Sequence, residues 1–389
     1  MLNQNGNMLT DVDATSMNVI SETRFPPVPT TTSTSTTTTT STTRAACNKT
    51  FSNQTTYSVS TNPISVAVVD VNSDNNPDII VANWVSNNVG VLLNAGSGTF
   101  STQTTYTVGS EPNSVAVVDV NSDNNPDIIV ANCGSNNVGV LVNTGNGTFN
   151  AQTTYAVGTK PYSVAVVDVN SDNKPDIVVA NEGSNNVGVL LNTGNGTFNA
   201  QTTYTVGSSP YSVAVVDVNS DNKPDIVVAN EGSATVGVLL NAGGGTFGAQ
   251  TTYSVGSGPW SVAVVDVNSD NKPDIIVANF GSNNVGVLLN TGSGTFNVQT
   301  TYSVGTRPYS IGVVDVNSDN KPDIVVANDG SSNVGVLLNT GNGTFNAQTT
   351  YAVGIDPQGV VVVDVNSDNT IDIVVANAGS NTVSVLLHC

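Results

Sequence analysis

From Tyr162 the chain reads Tyr-Ser-Val-Ala-Val-Val-Asp-Val to residue 169. This β-branched apolar run has strand length and no polar face, the pattern of a strand buried on both sides. A polar loop ending at Asp176 follows, then a second apolar run, Asp176-Ile-Val-Val-Ala-Asn181. Gly183-Ser-Asn-Asn186 reads as a turn and Val187-Gly-Val-Leu-Leu-Asn192 as a third strand. Thr193-Gly-Asn-Gly196 is a hairpin signal. The next ten residues, Thr197 to Val206, alternate instead. Phe198, Ala200, Thr202, Tyr204 and Val206 fall on one side, with Asn199, Gln201 and Thr203 on the other. That pattern predicts a half-exposed outer strand. The unit is therefore four antiparallel strands, three apolar and the last amphipathic.

The unit recurs seven times at a spacing of 49 residues, which predicts a repeat array. Four-stranded units in this number suit an all-β, seven-bladed propeller. The chain ends support a closed ring. The array opens on Thr50 to Val59, an outer strand without its blade, and stops after Val383-Ser-Val-Leu-Leu387, a third strand without its outer partner. The two fragments complete one blade. In the repeat frame Cys47 takes the place of Gly194 and Cys389 that of Thr193, so a Cys47–Cys389 disulfide is expected to lock the clasp, implying an oxidising compartment. Cys133 is expected to sit as a neutral occupant of a variable loop.

Residues 47–389 form the propeller and residues 1–46 lie outside it. Phe25-Pro26-Pro27-Val28-Pro29 opens fourteen consecutive Ser and Thr residues, Thr30 to Thr43. This segment reads as a disordered Ser/Thr-rich stalk, glycosylated or bare. No apolar run reaches membrane-spanning length. Residues 1–28 lack a basic segment followed by an apolar one, so no signal peptide is expected there.

The polar loop between the first two strands carries the chemistry. Its first copy reads Asp70-Val71-Asn72-Ser73-Asp74-Asn75-Asn76-Pro77-Asp78. Oxygen donors at positions 1, 3, 5 and 9, with a backbone carbonyl at position 7, suit a hard cation, above all calcium. The candidate ligands are Asp70, Asn72, Asp74, Asn76 and Asp78; Asp119, Asn121, Asp123, Asn125 and Asp127; Asp168, Asn170, Asp172, Lys174 and Asp176. They continue as Asp217, Asn219, Asp221, Lys223 and Asp225; Asp266, Asn268, Asp270, Lys272 and Asp274; Asp315, Asn317, Asp319, Lys321 and Asp323; and Asp364, Asn366, Asp368, Thr370 and Asp372. Position 6 is Asn throughout, the residue after Gly most at ease with positive φ. Seven loops of three Asp hold 21 of the 29 acidic residues, and seven Ca2+ ions would bring the formal charge from −20 to −6. Nine scattered Lys and Arg form no basic patch, which argues against nucleic acid as a partner.

The Asp-x-Asn-x-Asp-Asn-x-x-Asp loops, the Ile-Val-Val-Ala-Asn strands and the Gly-Thr-Phe turns resemble the FG-GAP/VCBS-repeat family, similar to the N-terminal propeller of integrin α subunits. The resemblance implies seven blades, calcium on the lower-face loops, and binding or adhesion through the upper face. Val-Ala-Asn in place of Gly-Ala-Pro brings the chain closer to the VCBS-type branch, where integrin partners are not implied. That branch also includes domains attached to enzymes.

The copies differ mainly on the face opposite the acidic loops. After the Ala-Asn pair come Trp84, Cys133, Glu182, Glu231, Phe280, Asp329 and Ala378. After the Pro that enters the first strand come Ile64, Asn113, Tyr162, Tyr211, Trp260, Tyr309 and Gln358. Tyr162, Tyr211, Trp260 and Tyr309, with Glu182, Glu231, Phe280 and Asp329, form a candidate ligand-binding arc; drift at tolerant loop positions is the alternative. The leading expectation is a calcium-stabilised, extracellular or cell-surface, monomeric module binding a glycan or protein. Sequons at Asn48, Asn53, Asn146, Asn195 and Asn342 would permit N-glycosylation. The only His is His388, so no Ser-His or Cys-His pair can be assembled, and the chain is expected not to be an enzyme. A polysaccharide-acting enzyme using a carboxylate pair such as Glu182 and Glu231, or a passive spacer, are the alternatives.

Overall fold

A computed structural model describes residues 50–388. The Ser/Thr-rich segment, both candidate clasp cysteines and the sequon at Asn48 lie outside the described residues.

Seven four-stranded antiparallel sheets follow one another, and six run in simple chain order. In the third blade the strands are Pro161–Val167, Asp176–Asn181, Asn186–Leu190 and Thr202–Thr205. The seventh sheet is built from both chain ends. The N-terminal strand Thr55–Ser58 lies antiparallel on Thr382–Leu386, with Tyr57 opposite Val383. The ring closes as the split repeat predicts.

The absence of a polar face on the inner strands has a direct cause. Alternate residues of one strand serve two different neighbours. Ile177 and Val179 pack with Ala116, Ile129 and Val138 of the second blade. Val178 and Ala180 turn the other way, onto Val213, Ile226 and Leu239 of the fourth. Each of the seven seams holds one such cluster. The closing seam joins Val66, Ile79 and Leu92 of the first blade to Val361, Val374 and Val383 of the last. Burial of these side chains, each worth about 1.5–3 kcal/mol, is what holds blade to blade.

The outer strand differs from expectation. Thr197–Phe198 pairs back on Asn192–Gly194 as a separate small hairpin, and the outer strand proper begins only at Thr202. Between them Ala200 is exposed, although the alternation assigned it to the buried side. The break has a cross-strand cause. The Gln201 side chain folds over Gly188, where a Cβ would stand 2.0 Å from its Oε1. Only Gly leaves that space. In the seventh blade Ser384 replaces the Gly, and its hydroxyl donates to Gln54 instead.

The expectation of a disulfide is corrected for the described residues: no disulfide bond is present among them, and their one cysteine, Cys133, is buried and free, while Cys47 and Cys389 lie outside them. Among described residues the clasp is held by non-covalent contacts. Ser52 N–H donates to Leu387 O at 2.8 Å and Val59 N–H to Asn381 O at 3.0 Å. The Phe51 ring is buried edge-on against Tyr351 at 5.3 Å and beside His388 at 4.9 Å.

Candidate functional site

The loop after the second strand and the loop before the first meet on one face. Glu182 N–H donates to Lys160 O and Gly183 N–H to Thr159 O, and the equivalent bonds recur round the ring. The residue before the Pro that enters each first strand is held at positive φ, including Glu111 at 54°, Lys160 at 50° and Arg307 at 57°. Its N–H is caught by an Asn from the preceding blade. Asn136 Oδ1 accepts from Lys160 N, Asn185 from Ser209, and Asn283 from Arg307, at 2.8–2.9 Å. Asn87 and Asn381 do the same for Glu111 and Asn62. Ala234 and Ser332 stand where the other seams have this Asn. None of these latches was anticipated, because each joins residues about half a repeat apart on different blades.

The seven residues that follow the Pro converge on the ring axis. Tyr162 and Tyr211 have centroids 4.2 Å apart, Tyr211 and Trp260 4.9 Å, and Trp260 and Tyr309 4.6 Å. Phe280 lies flat on Trp260 at 4.1 Å, and the Arg307 guanidinium stands over the Phe280 ring, 5.1 Å from its centroid. The rings form one contiguous cluster, so the expected arc is a plug. The cavity that remains, lined also by Ile64, Asn113 and Gln358, is about 20 Å3, room for one water. Burial raises the hydroxyl pKa of Tyr162, Tyr211 and Tyr309. Asn113 and Gln358, on the other side of the ring, are engaged too. Asn113 Nδ2 donates to Tyr162 O at 2.7 Å, and Gln358 Nε2 to Asp329 Oδ1 at 3.2 Å.

The upper-face carboxylates are mostly partnered. Lys160 lies 3.4 Å from Glu182, which also accepts from Ser209 Oγ. Arg307 lies 3.1 Å from Asp329, itself 1 % exposed, and burial raises the Asp329 carboxyl. Glu231 makes no ion pair among the described residues. Glu182 and Glu231 both stand close enough to Tyr211 for their charges to raise its hydroxyl. Cys133 sits on this face too, where burial, then Glu111, push its thiol up to about 11.

The acidic loops lie at the opposite end of the strands. Each curls through two left-handed residues, Ser171 at φ 63° and Asn173 at φ 62° in the third blade. The Asn was expected there and the Ser was not. Asp168 gathers the loop by accepting N–H bonds from Asn170, Ser171, Asp172 and Asn173. Asp176, fully buried, accepts from Val169 N with one oxygen and from Asn192 N with the other. Burial, then Asp168 and Asp172, push its carboxyl up to about 6 against those two bonds, and Asp78 reaches about 7. Asn192 Nδ2 then reaches the previous blade, donating to Val120 O at 2.9 Å. Among the described residues, no three acidic, His or Cys side chains converge into a ready cage. The carboxylates turn instead to N–H groups, those of their own loop and, for the last Asp, one at the end of the third strand. The donor set still fits a hard cation: three carboxylates, one Asx amide and a carbonyl on one turn, with one acid raised by burial and then by its neighbours.

No curated protein matches the chain. Solved structures share the fold at low identity. Virginiamycin B lyase from Staphylococcus aureus is 16% identical, with 87% of this chain and 99% of that one covered, at a TM-score of 0.60. Kuenenia stuttgartiensis hydrazine synthase is 16% identical, with 84% and 96% covered, at 0.59. An Agrocybe aegerita lectin that recognises non-reducing terminal N-acetylglucosamine is 20% identical, with 82% and 86% covered, at 0.52. The expectation that the chain is not an enzyme is therefore corrected. Enzymes and a lectin alike are built on this propeller, so the lack of a His-based dyad gives no ground for setting catalysis aside. Among the described residues no helix is long and apolar enough to cross a membrane. The FG-GAP-like repeat model matches six overlapping spans, 70–130, 119–179, 168–228, 217–277, 266–326 and 315–375. Repeats of this kind generally form calcium-binding propellers, and on that span the chain belongs to the FG-GAP repeat family.

Proposed function

We propose that this propeller is a calcium-stabilised extracellular or cell-surface module whose upper face recognises a glycan or a protein rich in hydroxyl groups. The observation that carries the reading is the aromatic cluster of Tyr162, Tyr211, Trp260, Phe280 and Tyr309, flanked by Glu182 and Glu231, with Asp329 buried against Arg307. A 20 Å3 cavity admits no sugar ring, so the ligand lies across the plug rather than inside the ring. Flat rings with carboxylate acceptors beside them suit stacking on sugar faces. Calcium would be held by the positions 1, 3, 5, 7 and 9 of each loop, up to seven ions, and would neutralise carboxylates that otherwise repel one another.

A second reading has its own support. Glu182 and Glu231 flank Tyr211, and Glu231 lacks a basic partner among the described residues. Two carboxylates on one sugar-stacking surface suit a polysaccharide-acting enzyme. One experiment separates the readings: a glycan array with calcium present, followed by product analysis on any glycan bound. Binding without turnover supports the first reading. Turnover lost in Glu231→Gln supports the second. A flat array removes the glycan reading.

A further inference from the structure

The acidic loops differ at one position, and the difference is ordered round the ring. Position 7 is Lys in four consecutive blades, Lys174, Lys223, Lys272 and Lys321, and Asn76, Asn125 or Thr370 in the other three. Each Lys ammonium reaches back to the position 5 Asp of its own loop. The separations are 3.4 Å to Asp172, 3.3 Å to Asp221, 3.3 Å to Asp270 and 3.4 Å to Asp319. In the other loops the same Asp receives a neutral donor. Asn76 Nδ2 donates to Asp74 and Asn125 Nδ2 to Asp123, both at 3.1 Å, and Thr370 Oγ1 donates to Asp368. The closing seam makes the seventh blade the neighbour of the first, so the neutral loops form one continuous arc.

We infer that the ring carries two classes of calcium site, three tight ones in blades seven, one and two and four weaker ones in blades three to six. The inference rests on the reading that the loops bind calcium. In the lysine loops a cation entering at position 5 meets an ammonium already seated on one of its carboxylate oxygens. The ammonium must swing away and stays close. Coulomb's law for a single and a double positive charge about 6 Å apart in water gives a weakening of about tenfold. The neutral loops lose hydrogen bonds from neutral donors alone, the position 7 side chain and the position 3 amide, and water replaces them. Salt narrows the gap, because these side chains are exposed and screened.

The test is equilibrium binding of radioactive calcium to the full chain after chelator treatment. Three ions should bind about tenfold more tightly than the next four. Replacing all four lysines by Asn, as K174N, K223N, K272N and K321N, should merge the classes into seven equal sites. The reverse variant, N76K, N125K and T370K, should move the three tight sites into the weak class. Seven equal sites in the unaltered chain overturn the inference and leave the calcium reading standing. No bound calcium overturns both. Two classes that survive the lysine replacement show another origin and overturn it as well.

Discussion

Seven phenylalanines occupy one position of the repeat, and the ring makes them unequal. Phe51, Phe100, Phe149, Phe198, Phe247, Phe296 and Phe345 are each 8 % exposed, each edge-on to a Tyr of the preceding blade at 5.3–5.4 Å. Truncating any of them to Ala removes the same ring from the same pocket, about 3–5 kcal/mol by the usual cost of large-to-small core changes. The consequence differs with connectivity. Phe198 lies in chain held covalently on both sides. Phe51 anchors the N-terminal strand, which among the described residues is fixed by pairing with Thr382–Leu386, by the flanking bonds of Ser52, Gln54 and Val59, and by this ring. When that strand lifts, a free end is released and the remaining six blades stay packed. Losing about 3 kcal/mol from the clasp raises the population of the lifted state about 100-fold, at 1.4 kcal/mol per tenfold. Native-state hydrogen exchange on peptides covering 55–58 and 382–386 reads this directly. Phe51→Ala should accelerate both peptides about 100-fold and leave 186–190 unchanged. Phe198→Ala should lower global stability without a comparable local opening at 202–205. If Phe51→Ala leaves the clasp peptides within about threefold of the unaltered protein, the strand is not held as described.

The seam between blades four and five offers a gain. Ala234 sits at φ 51° and lacks the amide that latches other seams, so Ala234→Asn should stabilise by about 1–2 kcal/mol through the left-handed backbone and a new bond from Gly258 N–H; an unchanged thermal midpoint would show the latch to be inert. Cys133 should resist alkylation in the native protein at pH 8, since a thiol near 11 is ionised in about one molecule in a thousand; rapid labelling of its peptide would contradict its burial. Once a ligand is known, Trp260→Ala and Tyr211→Ala should weaken it by about 1–3 kcal/mol, with Val85→Ser as an exposed control; equal effects from all three would place binding elsewhere. Calcium removal should lower the thermal midpoint through repulsion within the loops; an unchanged midpoint would make the loops self-sufficient.

Much of the ring is legible in one repeat. Strands such as Asp176–Asn181 have no polar face because both faces meet neighbours, and an unbroken apolar run of strand length records that without any structural knowledge. The split outer strand at the two ends is equally plain in the repeat frame. What stays hidden depends on distances between blades. The break before Thr202 needs Gln201 to find Gly188 across the sheet. The latches need an Asn of one blade beside a backbone N–H of the next. Equivalent positions announced that Tyr162, Tyr211, Trp260 and Tyr309 share a face. The small radius at the axis, which brings the rings into contact and closes the channel, is a property of the whole circle. The pairing of Lys160 with Glu182 and of Arg307 with Asp329 follows only from the two loops meeting.

The clasp joins residues separated by almost the whole length of the propeller. Gln54 meets Ser384 across 330 positions and Ser52 meets Leu387 across 335. On a ribosome the first strand emerges long before its partner exists. Each intervening third strand, Val-Gly-Val-Leu in sequence, offers it almost the same edge. Those edges are covered by their own outer strands as these follow in the chain, so the waiting segment is left without a home until the last blade is made. Loop closure over such a span is slow. At high concentration a half-made ring can meet the free edge of another chain first. Assembly of this protein is therefore a contest between synthesis, closure and exchange between chains, decided by timing rather than by a distinctive pairing sequence.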